Sequence, residues 1–206
     1  MGNKVLKTFR AFTLAEVLIT LVIIGVVAAI TVPTLMNNTN GAEMRSALKK
    51  AISSINQAME MSFAVDNMYV QDFATAEDVI DNIFSKRMTV MKDERSKVFT
   101  NQEVCNGATF TTADGAMFCI TNWEVSPDTN DQTSTCNSYN TIPCVADKDS
   151  PNLYIDVNGQ RKPNRLTTSS DVPRDIYEAQ MYNQRVVPFG DATQGIMYDK
   201  TVWDRK

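Results

Sequence analysis

The amino-acid sequence predicts an α+β protein in which a long N-terminal helix, half transmembrane and half amphipathic, packs on a small antiparallel sheet. Residues 17–36 form a run of 20 residues without one formal charge. Apolar residues at helical spacing resume after this run and continue to Phe63, which predicts the amphipathic half. Two short β-rich segments flank Asp114-Gly115, a strong hairpin signal, and predict the first two strands.

The N-terminal segment joins a basic leader to the apolar run. Lys4, Lys7 and Arg10 precede the run, and a single acid, Glu16, stands at its start. At about 1.5 Å per residue, a helix of this length covers roughly the 30 Å hydrocarbon core of a bilayer. The basic leader is expected to stay on the cytoplasmic side.

The stretch Arg10-Ala11-Phe12-Thr13-Leu14-Ala15-Glu16 and the apolar run after it resemble the N-terminus of type IV pilins and type II secretion pseudopilins. In that family the leader is cut just before an aromatic residue, here Phe12, whose new amino group is then methylated. Glu16 stands where the family keeps its assembly glutamate, and Pro33 where many of these helices carry a kink-forming proline. Ala11 precedes the expected cut in place of the usual glycine and is also small.

The resemblance implies an organisation and a set of partners. Residues 1–11 are the cleaved leader, 12–36 the transmembrane and assembly helix, and 37–206 the amphipathic half-helix with an exported pilin-like head. The implied partners are a prepilin peptidase that also methylates, an inner-membrane assembly platform and other pilin subunits in a helical homo-polymer. The chain would begin as a single-pass protein of the cytoplasmic membrane. It would end in a filament in the periplasm or on the cell surface.

Two simpler interpretations of the N-terminus are weaker. A secretory signal has a shorter apolar core, of about 7–15 residues, with a small-residue cleavage site after it. The run here is longer, and its end, Thr34-Leu35-Met36-Asn37-Asn38, lacks a clear A-x-A site. A plain membrane anchor explains the length and the leader charges but not the block from Phe12 to Glu16.

Composition disfavours an enzyme and a nucleic-acid binder. The chain has no histidine, and loss of the leader takes Lys plus Arg from 20 to 17 and the side-chain charge from −4 to −7. Without histidine the commonest general base and metal ligand are missing. An acidic protein has no electrostatic reason to bind DNA directly. The competing function is a minor, membrane-anchored adhesin or ligand-binding protein that uses the polar loop 124–151.

Four cysteines follow the membrane segment, at positions 105, 119, 136 and 144. An even number on the exported side predicts two disulfides, although four cysteines allow three pairings. The local pairings Cys105–Cys119 and Cys136–Cys144 are modestly favoured, and no C-x-x-C spacing suggests a metal or redox centre.

The second half of the long helix and the region after it carry helical signals. Asn37-Asn38-Thr39-Asn40-Gly41 is a weak point for the helix. The apolar stripe beyond it comprises Met44, Leu48, Ala51, Ile52, Ile55, Met59 and Phe63. Thr75-Ala76-Glu77-Asp78 resembles a capping box and predicts a helix of about ten residues.

The sheet is predicted from residues 108–112, 116–120 and 153–157, whose alternation suits a sheet with one covered face. The segments 185–189 and 195–198 are expected to add edge strands, with Pro188 marking an edge or an end. The polar stretch 124–151 is expected to form a long surface loop held by a disulfide.

The stretch Asp156-Val157-Asn158-Gly159-Gln160-Arg161-Lys162-Pro163-Asn164 resembles an element of pseudopilin-like heads, and major pseudopilins use a calcium loop near this end of the chain. The resemblance implies calcium ligation by hard oxygen ligands, and the candidates are Asp156, Asn158, Asp171 and Asp175. The spacing of an EF-hand is absent, so the sequence favours the alternative, an Asn-Gly turn with solvated acids nearby and no cofactor.

Overall fold

The structure, a computed structural model, describes residues 12–91, 98–123, 144, 149–167 and 174–198. For residues 33–40 it describes the backbone helix alone. The chain divides into two compact units, Met1–Asn40 and Gly41–Lys206. The second unit is called the head.

One long helix and a group of short ones make up the α part of the fold. Helix α1 is Leu14–Asp66, 53 residues, and its bounds include the predicted weak point at 37–41. The short elements are a 3₁₀ turn Val70–Asp72, α2 Ala76–Val79, a π-helical turn Ile80–Phe84, α3 Ser85–Arg87 and α4 Gly190–Tyr198. Thr75 is the N-cap of α2, because its hydroxyl accepts the Asp78 N–H at 3.1 Å. The helix predicted after Thr75 is therefore confirmed.

The β part is one five-stranded sheet in which every strand pairs antiparallel with the next along the chain. Its strands are β1 Ala108–Thr111, β2 Met117–Ile120, β3 Leu153–Asp156, β4 Ile176–Met181 and β5 Val186–Pro188. The helices together with this sheet confirm the α+β class.

One expected strand is a helix instead, and one strand is not among the sequence predictions. No local pattern predicts β4, whose residues Ile-Tyr-Glu-Ala-Gln-Met are mixed in polarity and yet almost all buried. Residues 195–198 were expected to form a strand but belong to α4. Gly190 adopts a left-handed φ of 73° after Pro188 and ends the extended chain there. Thr193 and Ile196 are then buried three residues apart, which is a helical spacing.

The main core lies between α1 and one face of the sheet, which is called the front face. Of the predicted stripe on α1, Leu48, Ile52, Ile55 and Met59 are buried in this core. Phe63 is 37% exposed and packs instead on Tyr69, with ring centroids 4.7 Å apart. The aromatic part of the core is a stack of Phe84, Phe110 and Phe118, whose centroids are 5.1 and 4.9 Å apart.

The opposite face of the sheet, called the back face, is also covered, which corrects the expectation of one covered face. A second buried cluster there joins Met117, Cys119 and Ile176 of the strands to Phe99 and Cys105 of the preceding loop. All four residues of β2 are buried. The loop with Phe99 comes from outside the strands, so strand alternation alone gives no indication of it.

Candidate functional site

Helix α1 begins with a reciprocal pair of hydrogen bonds between Thr13 and Glu16. The Thr13 hydroxyl accepts the Glu16 N–H at 3.3 Å, and Glu16 Oε2 accepts the Thr13 N–H at 2.9 Å. The Thr13 hydroxyl also donates to Oε2 at 2.9 Å. This is a capping box, in which the acid on the third helical residue satisfies the backbone of the N-cap. The carboxylate of Glu16 is therefore held at the first turn of the helix.

Apolar side chains surround α1 after this turn. Leu14–Val32 is long and apolar enough to cross a membrane, with a mean hydropathy of 2.6 and no part of it buried in the protein. Each large apolar side chain from Val17 to Val32 is at least 46% exposed. A core helix of a soluble protein would bury such a surface, so this one needs lipid or other helices to cover it.

The remaining candidates for processing and bending are only partly described. Phe12 is 86% exposed at the start of the described chain, whereas Ala11 lies outside the described residues. Pro33 falls within the bounds of α1, but its side chain is outside the described part. The cut before Phe12, its methylation and the kink at Pro33 stay predictions.

Three of the four predicted calcium ligands are described, and two of them lie close together. Asp156 ends β3 and Asp175 precedes β4, and both are fully buried, which corrects the expectation of solvated acids. Asn158 follows in the Asn-Gly turn, where its Oδ1 is buried without a hydrogen-bond donor. Asp171 lies outside the described residues. Within the described part of the chain, no group of three or more Asp, Glu, Cys or His side chains is placed to hold a metal ion.

The environment of Asp156 shifts its titration strongly. Burial raises the pKa of Asp156 to about 7. The value of about 7 is the net result: the neighbouring Asp175 carboxylate acts in the same direction as burial, while hydrogen bonds from Thr100 and from the backbone of Asn158 and Gly159 lower the pKa.

One predicted disulfide is present. Cys105 and Cys119 are bonded, with their Cα atoms 6.4 Å apart, and the bond joins the loop on the back face to β2. Cys144 is also disulfide-bonded, and Cys136 lies outside the described residues.

The sequence reasoning missed two residues of these sites. Thr13 had a visible signal, because Thr-x-x-Glu ahead of an apolar run is the pattern of a capping box. Thr100, whose hydroxyl donates to Asp156 Oδ2, had none. It lies 56 residues before its partner, in a loop without periodicity.

Comparisons with known proteins agree with the geometry of the N-terminal segment. Residues 6–32 match the model of the prokaryotic N-terminal methylation motif. The chain therefore carries a prepilin-type N-terminal segment, which confirms the resemblance found in the sequence.

A relative gives the same result over a longer stretch. The chain is 37% identical over 60 residues to the type II secretion system core protein G of Pectobacterium carotovorum subsp. carotovorum. The match covers 29% of this chain and 38% of the relative, so well under two thirds of the relative is spanned. No solved structure matches.

Proposed function

We propose that this chain is a structural subunit of a type IV pilus or a type II secretion pseudopilus. The observation that carries the proposal is the start of α1, where a segment that matches the methylation motif holds one carboxylate, Glu16, in the first turn of an unburied apolar helix. In this proposal a prepilin peptidase cuts between Ala11 and Phe12 and methylates the new amino group. An inner-membrane assembly platform then receives the subunit.

The chemistry of assembly follows from the cost of a charge in lipid. A carboxylate in a helix costs on the order of 2.5–3.5 kcal/mol at the centre of a bilayer and less toward the surface, and a nearby positive group reduces this cost. The cut creates such a group, the methylated amine of Phe12. Within one subunit, Thr13 already occupies Oε2 of Glu16. In the proposed filament, the Phe12 amine of a neighbouring copy pairs with the Glu16 carboxylate and sets the register of the incoming subunit.

The apolar helices complete the proposed assembly. Once paired through Glu16, neighbouring copies of Leu14–Val32 cover one another's exposed surface and form the filament core. This exchange of lipid for other helices leaves the head, Gly41–Lys206, outside the membrane. The proposed role is structural and needs no catalytic group.

The second candidate is a minor adhesin or ligand-binding protein with the same anchor. It would use the loop 124–151, of which the structure describes only residues 144 and 149–151. The amount of the protein in isolated filaments distinguishes the two functions. A structural subunit is abundant there, whereas an adhesin is present only in traces.

The test replaces Glu16 by Ala in the full-length protein, in cells that hold the peptidase and the assembly machinery. We expect normal processing, seen as a peptide that begins at methylated Phe12 in mass spectra of the membrane fraction. We also expect loss of the variant from sheared filaments. Glu60→Ala is the matched control, because Glu60 is an exposed acid on the same helix. Incorporation of the Glu16 variant at the level of the control would refute the proposal.

A further inference from the structure

The calcium site that the family resemblance implies does not fit the residues that the structure describes. Calcium takes six to eight oxygen ligands. Around Asp156 and Asp175 the described residues offer two carboxylates and the Oδ1 atom of Asn158, and no third acid joins them. Two carboxylates and one amide oxygen supply five side-chain oxygens, fewer than calcium takes, and the decisive point is that the carboxylate oxygens are already bonded.

The oxygens of both carboxyls already accept hydrogen bonds from the protein. Asp156 Oδ2 accepts the Thr100 hydroxyl, and Oδ1 accepts the Asn158 N–H at 3.2 Å. Asp175 Oδ2 accepts the Asn164 N–H and Oδ1 accepts the Arg165 N–H, each at 2.8 Å. Donors of the chain itself thus do the work that a cation does in a metal loop, which is to order the backbone around the carboxyls.

The four bonds involve two loops of the back face. Thr100 belongs to the loop of the Cys105–Cys119 disulfide, and Asn158, Asn164 and Arg165 belong to the connection between β3 and β4. The two loops are also hydrogen-bonded directly to each other, because Asn101 Nδ2 donates to the Asn164 carbonyl at 3.2 Å. The second loop is bonded to β4 as well, since the Ile176 N–H donates to the Arg165 carbonyl at 3.1 Å.

We infer that Asp156 and Asp175 form a hydrogen-bonded latch that fixes the back-face loops, and that the head folds and keeps its stability without calcium. Thr100 distinguishes the latch from a calcium site. Its hydroxyl is essential to the latch and is not among the four candidate ligands for the metal.

The test measures thermal unfolding of the full-length protein in detergent, in EDTA and in about 5 mM Ca²⁺, which is above the ~10⁻³ M limit of weak protein calcium sites. We expect the same Tm in both solutions. Thr100→Val is expected to lower Tm by about 3–10 °C in both, because it removes a hydrogen bond to the buried carboxyl of Asp156 and leaves that oxygen without a donor. Thr100→Ser, which keeps the hydroxyl, is expected to stay near the parent protein. Glu103→Gln is the control, because Glu103 is an exposed acid of the same loop.

Two results would overturn the inference. One is a rise in the Tm of the parent protein with Ca²⁺ that Asp156→Asn abolishes, which would establish a metal site. The other is a Thr100→Val protein as stable as Thr100→Ser. If Thr100→Val fails to fold, calorimetric titration of the parent protein with Ca²⁺ alone decides, and measurable binding there contradicts the inference.

Discussion

The side-chain amide of Asn56 on α1 bonds both backbone polar groups of Val186 on β5. Nδ2 donates to the Val186 carbonyl at 3.1 Å, and the Val186 N–H donates to Oδ1 at 2.6 Å. Because Tyr182 pairs with the Arg185 carbonyl, the polar groups of the next residue, Val186, point away from β4. Pro188 has no N–H to offer at this edge, so β5 is closed to the addition of another strand.

Loss of the two hydrogen bonds between Asn56 and Val186 is expected to destabilise the head. Asn56→Ala removes two hydrogen bonds and leaves two backbone groups of Val186 unsatisfied, at a cost of about 2–3 kcal/mol. Urea unfolding of the full-length protein in detergent measures this cost. Gln57→Ala is the control, because Gln57 is exposed on the next position of the helix and its amide donates to the Ser53 hydroxyl on the same helix. Equal stability of the two variants would mean that Asn56 contributes nothing at the edge of β5.

The capping box at the start of α1 predicts a role for Thr13 in assembly. Thr13→Val removes the hydroxyl that bonds Glu16, and an N-cap is worth about 1 kcal/mol, a factor of about five in a population. We therefore expect about fivefold less of this variant in sheared filaments, and a normal amount of Thr13→Ser. The amount is measured against the N-terminal peptide in the membrane fraction, so that an effect on cleavage is counted separately.

Thr20→Val is the control for Thr13. The Thr20 hydroxyl donates to the Val17 carbonyl at 2.9 Å on the same helix rather than to the Glu16 carboxylate. A Thr13→Val protein that enters filaments as well as the Thr20 variant would contradict a role for the capping box.

Asp156 predicts that the head loses stability as pH rises. Its pKa is 3.8 in the unfolded chain and about 7 in the folded one. Between these values the folded state binds more protons than the unfolded state, so the free energy of unfolding falls from pH 4 to pH 7 and levels off above 7. The change is on the order of 2–4 kcal/mol for this group. Burial also raises the pKa of half-buried Glu178, which contributes with the same sign.

Comparison with Asp156→Asn isolates this effect. The variant should have a much flatter dependence of unfolding free energy on pH between about 4 and 7, measured by urea unfolding at several pH values. The unfolding free energy could instead rise from pH 5 to pH 7.5 by the same amount in the parent protein and the variant. That result would show that Asp156 does not titrate in this range.

The Cys105–Cys119 disulfide is expected to stabilise the back face. The two residues are 14 apart in sequence, and closing a loop of that size contributes about 3 kcal/mol in the loop-entropy model. The double variant with Cys105→Ser and Cys119→Ser should lose about this amount in urea unfolding under non-reducing conditions. If its stability equals that of the parent protein, the loop with Phe99 packs on the sheet without help from the bond.

Much of the fold could be predicted because its signals are local. The hairpin at Asp114-Gly115, the N-cap Thr75 and the buried stripe around Ile55 each depend on residues within a few positions of one another. Strand β4 could not be predicted, because its side chains are mixed in polarity and are buried by α1, α4 and the back-face loops. Residues 195–198 are predicted as a strand although they end α4, because four apolar or small residues fit either period.

The candidate sites divide in the same way. Glu16 and Phe12 were found from the sequence, since a leader, a cleavage block and a charge-free run act through length, charge and order along the chain. The burial of Asp156 was not found, because its partners come from Thr100 on one side and from Asp175 on the other. An acid beside an Asn-Gly turn is usually solvated. Asp156 is buried because the loop with Thr100 and the segment before β4 cover it.

The sequence by itself determined that this protein begins with a prepilin-type segment and a helix of membrane-spanning length, because those properties belong to contiguous residues. Only the tertiary structure decided that Asn56 closes the edge at Val186, 130 residues away, and that two buried acids hold the back-face loops. The physical reason is that hydrogen-bond geometry and desolvation depend on which distant segments come into contact. A single stretch of sequence does not specify those contacts.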